Sequence, residues 1–193
     1  DRVLALVDVL PPERVPILDA LGCVLAEDVP ADRDVPPLDN SAMDGYAVRG
    51  EDLTGDGVRL RVVANLPAGQ VLTRPVERGE AVRIMTGAPV PPGADTVVRF
   101  EDTRAGDDWV EVLKAPRPGA NVRLAGEDVC QGAIVLPEGT ALRPQEIGML
   151  ASVGRSTTLV HRRPRVAILA TGDEVAEIDA EPRPGQIRNI NSY

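Results

Sequence analysis

Four short segments bring reactive side chains together with glycine. In Asp39-Asn40-Ser41-Ala42-Met43-Asp44-Gly45-Tyr46-Ala47, two carboxylates, an amide and a hydroxyl fall within six residues. Gly45 would allow a sharp turn that presents Asp44. The same residues also fit an Asx-type turn leading into a strand. In Arg83-Ile84-Met85-Thr86-Gly87-Ala88-Pro89, a strand runs into Thr-Gly. Its backbone N–H groups and the Thr86 hydroxyl suit an anion nest with Arg83 nearby, or else a plain hairpin turn. Arg123-Leu124-Ala125-Gly126-Glu127-Asp128 puts two acids directly after glycine, in a site loop or a solvated turn. Thr171-Gly172-Asp173-Glu174 follows the apolar run Arg165–Ala170. The polar end of a buried parallel strand is where open α/β sheets place ligands.

The residue inventory narrows the chemistry. His161 is the only histidine, flanked by Arg162 and Arg163 in a strand-like run, and reads as a surface residue. A zinc site of several histidines is therefore impossible, and any Ser-His-Asp or Cys-His arrangement would need this one side chain. Cys23 and Cys130 lie far apart, each among apolar residues, and read as two buried free thiols of a cytoplasmic protein. What remains plentiful is carboxylate, arginine, hydroxyl and backbone amide. Carboxylates beside glycine loops, with no nucleophile–base pair, point to a divalent cation holding a phosphate-bearing ligand.

The elements that must position these segments are short. Val3, Leu6, Val7 and Leu10 follow helical spacing and stop at Pro11-Pro12. Residues 18–21 add a turn ending at Gly22, and Glu27 to Asp39 reads as an acidic, proline-bearing extended connection. Val58, Leu60 and Val62 then alternate with Arg59 and Arg61, and strand signals recur at 81–85, 96–101, 109–113, 133–136 and 157–161. The 26 valines suit strands packed by β-branched side chains. Pro144 to Ser152 reads as a helix, with proline at its first position and Gly154 just beyond its end. The fold class expected is mixed but mainly β.

Charge and composition exclude other classes. Residues 1–57 hold thirteen acids and four bases, whereas residues 58–193 hold seventeen of each. The whole formal charge of −9 thus sits in the first third. Such a chain is a poor non-specific partner for nucleic acid or an anionic membrane. Four aromatics (Tyr46, Phe100, Trp109 and Tyr193) give no base-stacking platform. No apolar run approaches the ~20 residues of a membrane span. The first residues do not resemble a signal peptide, and without an initiator methionine the chain reads as a trimmed piece.

The segments also resemble a known family. Pro37-Leu-Asp-Asn-Ser-Ala-Met-Asp-Gly-Tyr-Ala-Val48 is similar to the signature of molybdopterin molybdenumtransferases, the MoeA family, which includes the gephyrin E domain. Arg83–Val98, Asn121–Val129 with Gly132 and Leu136–Gly139, Arg163–Glu174 and Gly185–Tyr193 resemble its later blocks, in order. The resemblance covers nearly the whole chain. It implies an activity that takes adenylylated molybdopterin and molybdate, releases AMP and leaves molybdenum on the dithiolene, assisted by Mg²⁺. It implies a cytoplasmic homodimer whose active cleft lies between subunits, and a MogA-type molybdopterin adenylyltransferase as upstream partner.

The resemblance also divides the chain and assigns residues. Residues 1–30 would form an N-terminal helix and linker packing with a strand-helix-strand connection at 129–163. Residues 31–128 would form an elongated β-rich module with short helices. Residues 164–193 would open a truncated MogA-like α/β domain, starting with its first strand. Asp44, Thr86, Asp128 and Glu174 match positions implicated in activity, with Asp44 and Glu174 as hard oxygen ligands for Mg²⁺. Ser41, Arg83, Gly87 and Asp173 would touch substrate. Position 38 is Leu where the family usually has an aromatic, which reads as a packing change. The family's later blocks and its final β domain are not in this sequence, so the chain alone is expected to be inactive. The alternative is a scaffold or dimerisation module of the same fold without catalysis.

Overall fold

Valine-rich alternation builds strands where the sequence predicts them. The structure, a computed structural model, describes residues 7–193. Its elements in chain order are β1 (Pro12–Pro16), β2 (Val29–Pro30), β3 (Asn40–Ser41), β4 (Gly45–Val48), β5 (Val58–Leu66), β6 (Glu80–Ile84) and β7 (Thr96–Arg99). There follow β8 (Thr103–Ala105), β9 (Trp109–Val112), β10 (Val122–Arg123), β11 (Ile134–Leu136), α1 (Pro144–Ser152), β12 (Thr157–His161), β13 (Val175–Ala176) and β14 (Ile187–Arg188). The fold is mainly β, as expected.

A six-stranded sheet in the order β7-β4-β6-β5-β9-β8 forms the largest unit. Only β5 and β6 run parallel, joined by a long crossover at 67–79. Period-two alternation sends Tyr46, Val48, Leu60, Val98, Val110 and Val112 to one face. Ala47, Leu66, Val82, Ile84 and Val97 go to the other. Both faces are covered, so β4 is buried at every residue.

Glu80 anchors the crossover. Its carboxylate, 4% exposed, accepts bonds from Arg61 at 2.6 Å and Arg74 at 2.9 Å, and from the Glu77 N–H at 3.2 Å. The hydrogen bond from Arg74 is the main cause that holds its carboxyl down at about 2, against the cost of desolvation. A depressed carboxyl stabilises the fold above its ordinary value of 4.5, and that stability drains away as pH falls from there through about 2. Glu80→Gln is therefore expected to lower Tm by several degrees at neutral pH. The gap should close on acidification through that window, as melts at stepped pH will read.

A second core joins the start of the chain to its later third. β1 pairs antiparallel with β12, and β2 with β11. Ala20, Cys23, Leu25 and Val29 pack with Leu136, Leu142, Leu150 and Val160. Helix α1 has the predicted bounds, because the Arg143 N–H is accepted by Glu146 at 2.9 Å and Gly154 ends it at φ +73°.

Two expectations fail, and a third is left without partners in this chain. Of the helix expected over Val3–Leu10, residues 1–6 lie outside the described residues, and residues 7–10 are exposed and non-helical. Edge pairing of β1 begins at Pro12 instead, since proline at a strand end leaves no ladder donor missing. The apolar run Arg165–Ala170 forms no strand within this chain. Val166, Ile168 and Leu169 are exposed, because no other strand among the described residues pairs with the run. Cys130 is exposed whereas Cys23 is buried. Cys130 lies in a loop whose thiol bonds only to the Gly126 carbonyl, at 3.5 Å.

Candidate functional site

The Asp39–Ala47 segment is held by two distant loops. Ser41 opposes Val122 and Asn40 opposes Arg123 in the short β3–β10 ribbon. On the other side, the Ser41 N–H donates to Ala88 O at 3.0 Å, and the Gly87 N–H donates to Ser41 O at 2.8 Å. The Ala42 N–H donates to Asn121 O at 2.9 Å. Asp39 Oδ1 accepts the Ala125 N–H at 2.7 Å, and Asp39 O accepts the Val90 N–H at 2.9 Å.

This clamp sets Asp44 against Thr86. Asp44 Oδ1 accepts both the Thr86 N–H, at 2.8 Å, and the Thr86 hydroxyl, at 2.7 Å. Those two bonds, and the charge of Arg83, hold the Asp44 carboxyl below its usual range. The Asp44 side chain is exposed, and Oδ2 has no hydrogen-bond partner among the described residues. The result is a fixed, ionised carboxylate with one oxygen facing out.

Gly45 serves a different purpose from the one expected. It takes no positive φ and makes no turn. It is the first residue of β4, between β6 and β7. A Cβ there would sit 2.0 Å from the Val98 carbonyl oxygen, so glycine is needed for close backbone approach.

The anion nest is not open either. The Thr86 N–H is given to Asp44, the Gly87 N–H to Ser41 and the Ala88 N–H to Met85, so the loop's donors are spent within the protein. Ser41 is 1% exposed and donates its hydroxyl to Met43 O at 2.5 Å, which builds the turn before Asp44. Arg83 is exposed, with its guanidinium 5.1 Å above the Phe100 ring. Among the described residues it forms no ion pair.

The structure brings Asp128 to the same ribbon but not Glu174. Asp128 pairs with Arg123 of β10, and its N–H donates to Val35 O at 2.9 Å. Glu174 and Asp173 are exposed in a turn, with the Glu174 carboxylate folded over its own Gly172. No contact joins them to Asp44 among the described residues. Leu38, half exposed, lines a largely apolar cleft of about 520 Å³ with Asp39, Val71, Pro89 and Ala125. It is therefore a surface feature and not a change in core packing.

Mg²⁺ fits this arrangement only as a shared ion. No three His, Cys, Asp or Glu side chains gather among the described residues. Mg²⁺ commonly takes one or two carboxylates, with the rest of its shell from substrate phosphate and water. Asp44 Oδ2 can supply one such ligand.

Sequence reasoning passed over Asn121. It is the only non-glycine residue with positive φ, at +59°, among the described residues. Its side-chain amide donates to Val97 O at 2.8 Å while its carbonyl holds Ala42. The readable signal was Asn after Gly119-Ala120, since asparagine tolerates the left-handed turn.

Comparison with known proteins places the chain in a family. Residues 1–154 match the MoeA N-terminal region (domain I and II). The chain is 44% identical over 185 residues to the molybdopterin molybdenumtransferase of Nostoc sp., covering 94% of this chain and 42% of that protein. It is 42% identical over 185 residues to molybdopterin molybdenumtransferase 2 of Mycobacterium tuberculosis, covering 94% and 46%. The crystal structure of a molybdopterin biosynthesis moeA protein from Pyrococcus horikoshii OT3 superposes with a TM-score of 0.81 at 39% identity, covering 89% of this chain and 46% of that one. The chain thus spans less than half the length of these relatives. With its β-rich fold and its signature loop held between two distant segments, the chain belongs to the MoeA family.

Proposed function

We propose that the chain is the N-terminal part of an enzyme of molybdenum cofactor biosynthesis that inserts molybdenum from molybdate into adenylylated molybdopterin and releases AMP. The observation that carries this reading is the Asp44–Thr86 pair: an ionised, exposed carboxylate held by two donors with one oxygen left for a ligand. The names of the relatives support the substrate class. Bound beside Asp44 Oδ2, Mg²⁺ would act as a Lewis acid on the phosphate link, which suits a chain with a single histidine. Thr86 fixes the rotamer of Asp44. The same two Thr86 bonds, with a smaller contribution from Arg83, keep it ionised, and Arg83 offers guanidinium donors to an anionic substrate. Asp128 orders the neighbouring loop.

Glu174 is the fourth member of the site. That it meets no residue of the ribbon, among the described residues, suits a homodimer whose cleft is shared between subunits. A MogA-type adenylyltransferase is the upstream partner, since the substrate must arrive adenylylated, and the reading places the reaction in the cytoplasm. Among the described residues no helix is long and apolar enough to cross a membrane.

The test is AMP release from adenylylated molybdopterin by a full-length version of the protein. Release is expected only when Mg²⁺ and molybdate are both present, and none from the 193-residue chain alone. A full-length protein that binds the substrate yet releases no AMP under those conditions overturns the reading.

A further inference from the structure

The acidic segment before the signature is wired to the loop that carries Asp128. Asp39 Oδ1 accepts the Ala125 N–H at 2.7 Å, and Asp34 Oδ1 accepts the Gln131 N–H at 2.7 Å. Between these two points, the Gly126 N–H donates to Pro36 O at 2.9 Å and the Asp128 N–H to Val35 O at 2.9 Å. Val35 and Val129 also exchange backbone bonds in both directions. The loop is thus capped at each end by a carboxylate from one short stretch of chain, more than 80 residues away in sequence.

The two acids do different jobs. Asp34 sits beneath Gly126, whose Cβ, if present, would meet its Oδ1 at 3.3 Å and the Cys130 sulfur at 3.4 Å. Asp39 reaches further. Its carbonyl holds Val90, beyond the Thr86 loop, while its side chain holds Ala125. One residue therefore ties the loop beside Asp44 to the loop of Asp128.

We propose that Asp39 is a positioning residue: as a hydrogen-bond acceptor it sets the Asp128 loop against the Asp44–Thr86 pair. This rests on the reading of Asp128 and Asp44 as parts of one site. It also explains part of the acidic excess, since Asp34 and Asp39 work as backbone acceptors and not as general negative charge. A carboxylate that accepts a loop N–H satisfies a donor that no secondary structure satisfies.

The loop contains its own reporter, the Ala125 N–H that Asp39 Oδ1 accepts. Hydrogen–deuterium exchange of that N–H, followed by mass spectrometry on its peptide in the full-length protein, reads how often the bond opens. Asp39→Ala is expected to raise that rate about tenfold, the upper end of what loss of one hydrogen bond brings to a local opening equilibrium. Asp39→Asn keeps the acceptor and should exchange like the wild type. Asp39→Glu keeps the charge but moves the acceptor by one methylene, and should exchange like Asp39→Ala.

A purely electrostatic role for Asp39 predicts the reverse order, with Glu quiet and Asn fast, and that result overturns the proposal. Unchanged labelling in Asp39→Glu and Asp39→Ala also overturns it. If Asp39→Ala does not fold, the Asn and Glu variants decide alone. AMP release measured on the same proteins should show a fall in kcat for Asp39→Glu that Asp39→Asn does not show. Absence of AMP release in the wild type would count against the proposed reaction and leave the exchange result standing.

Discussion

Asp44→Ala in the full-length protein is expected to reduce AMP release by about a hundredfold to a thousandfold, the usual cost of deleting one preorganised charged group from a site. The melting temperature should stay close to that of the wild type. Both halves follow from the geometry. Asp44 is exposed, so its removal opens no cavity and uncovers no core. The Thr86 N–H and hydroxyl lose their shared acceptor but face water, which replaces it.

Two further variants separate the roles of charge and placement. Asp44→Asn keeps an acceptor for Thr86 but removes the charge, and should be nearly as inactive as alanine. Thr86→Val removes the hydroxyl donor but leaves the charge. The carboxyl should then rise towards its ordinary value of 3.8, with a smaller loss of rate. Its pH profile would show the difference as an acid limb displaced upward. Normal turnover in Asp44→Ala would end the assignment.

Gly45→Ala is expected to do the opposite, removing the fold and with it everything else. The added methyl would lie 2.0 Å from the Val98 carbonyl oxygen and 2.8 Å from its carbon. Both are backbone atoms of the neighbouring strand β7, so no side-chain rotation relieves the clash. β4 is buried at every residue between two strands and cannot bow outward without opening the sheet. A cost above about 4 kcal/mol is expected, which belongs to the exceptional class of single substitutions.

Gly87→Ala is the useful control. Gly87 has φ +81° but open space around its missing Cβ, so only backbone strain of about 1–2 kcal/mol applies. Urea unfolding of the two variants should differ sharply. Equal midpoints would mean that β7 does not approach Gly45 as closely as described.

The parts of the fold that could be read in advance are those set by near neighbours. The bounds of α1 followed from Pro144 at its first position and Gly154 beyond its end. β5, β6, β9 and β12 followed from alternation, because each side chain needs only the pleat to choose a face. The departures had a common cause. Arg165–Ala170 has the composition of a buried strand, yet burial depends on partners that its own residues do not encode. Gly45 looked like a turn glycine, and only the course of β7 revealed the close approach. Cys130 looked like a core thiol among apolar neighbours, and only the loop's path leaves it exposed.

The sequence by itself determined the chemical inventory: carboxylates beside glycines, many arginines, one histidine, and the ordered motifs of the family. It also determined the short elements between them. Tertiary structure alone decided which candidates meet. Asp44 finds Thr86 across 42 residues, and Asp39 finds Ala125 across 86, while Glu174 finds neither. Such pairings depend on sheet register and loop closure over long stretches of chain, and no local pattern of residues carries that information.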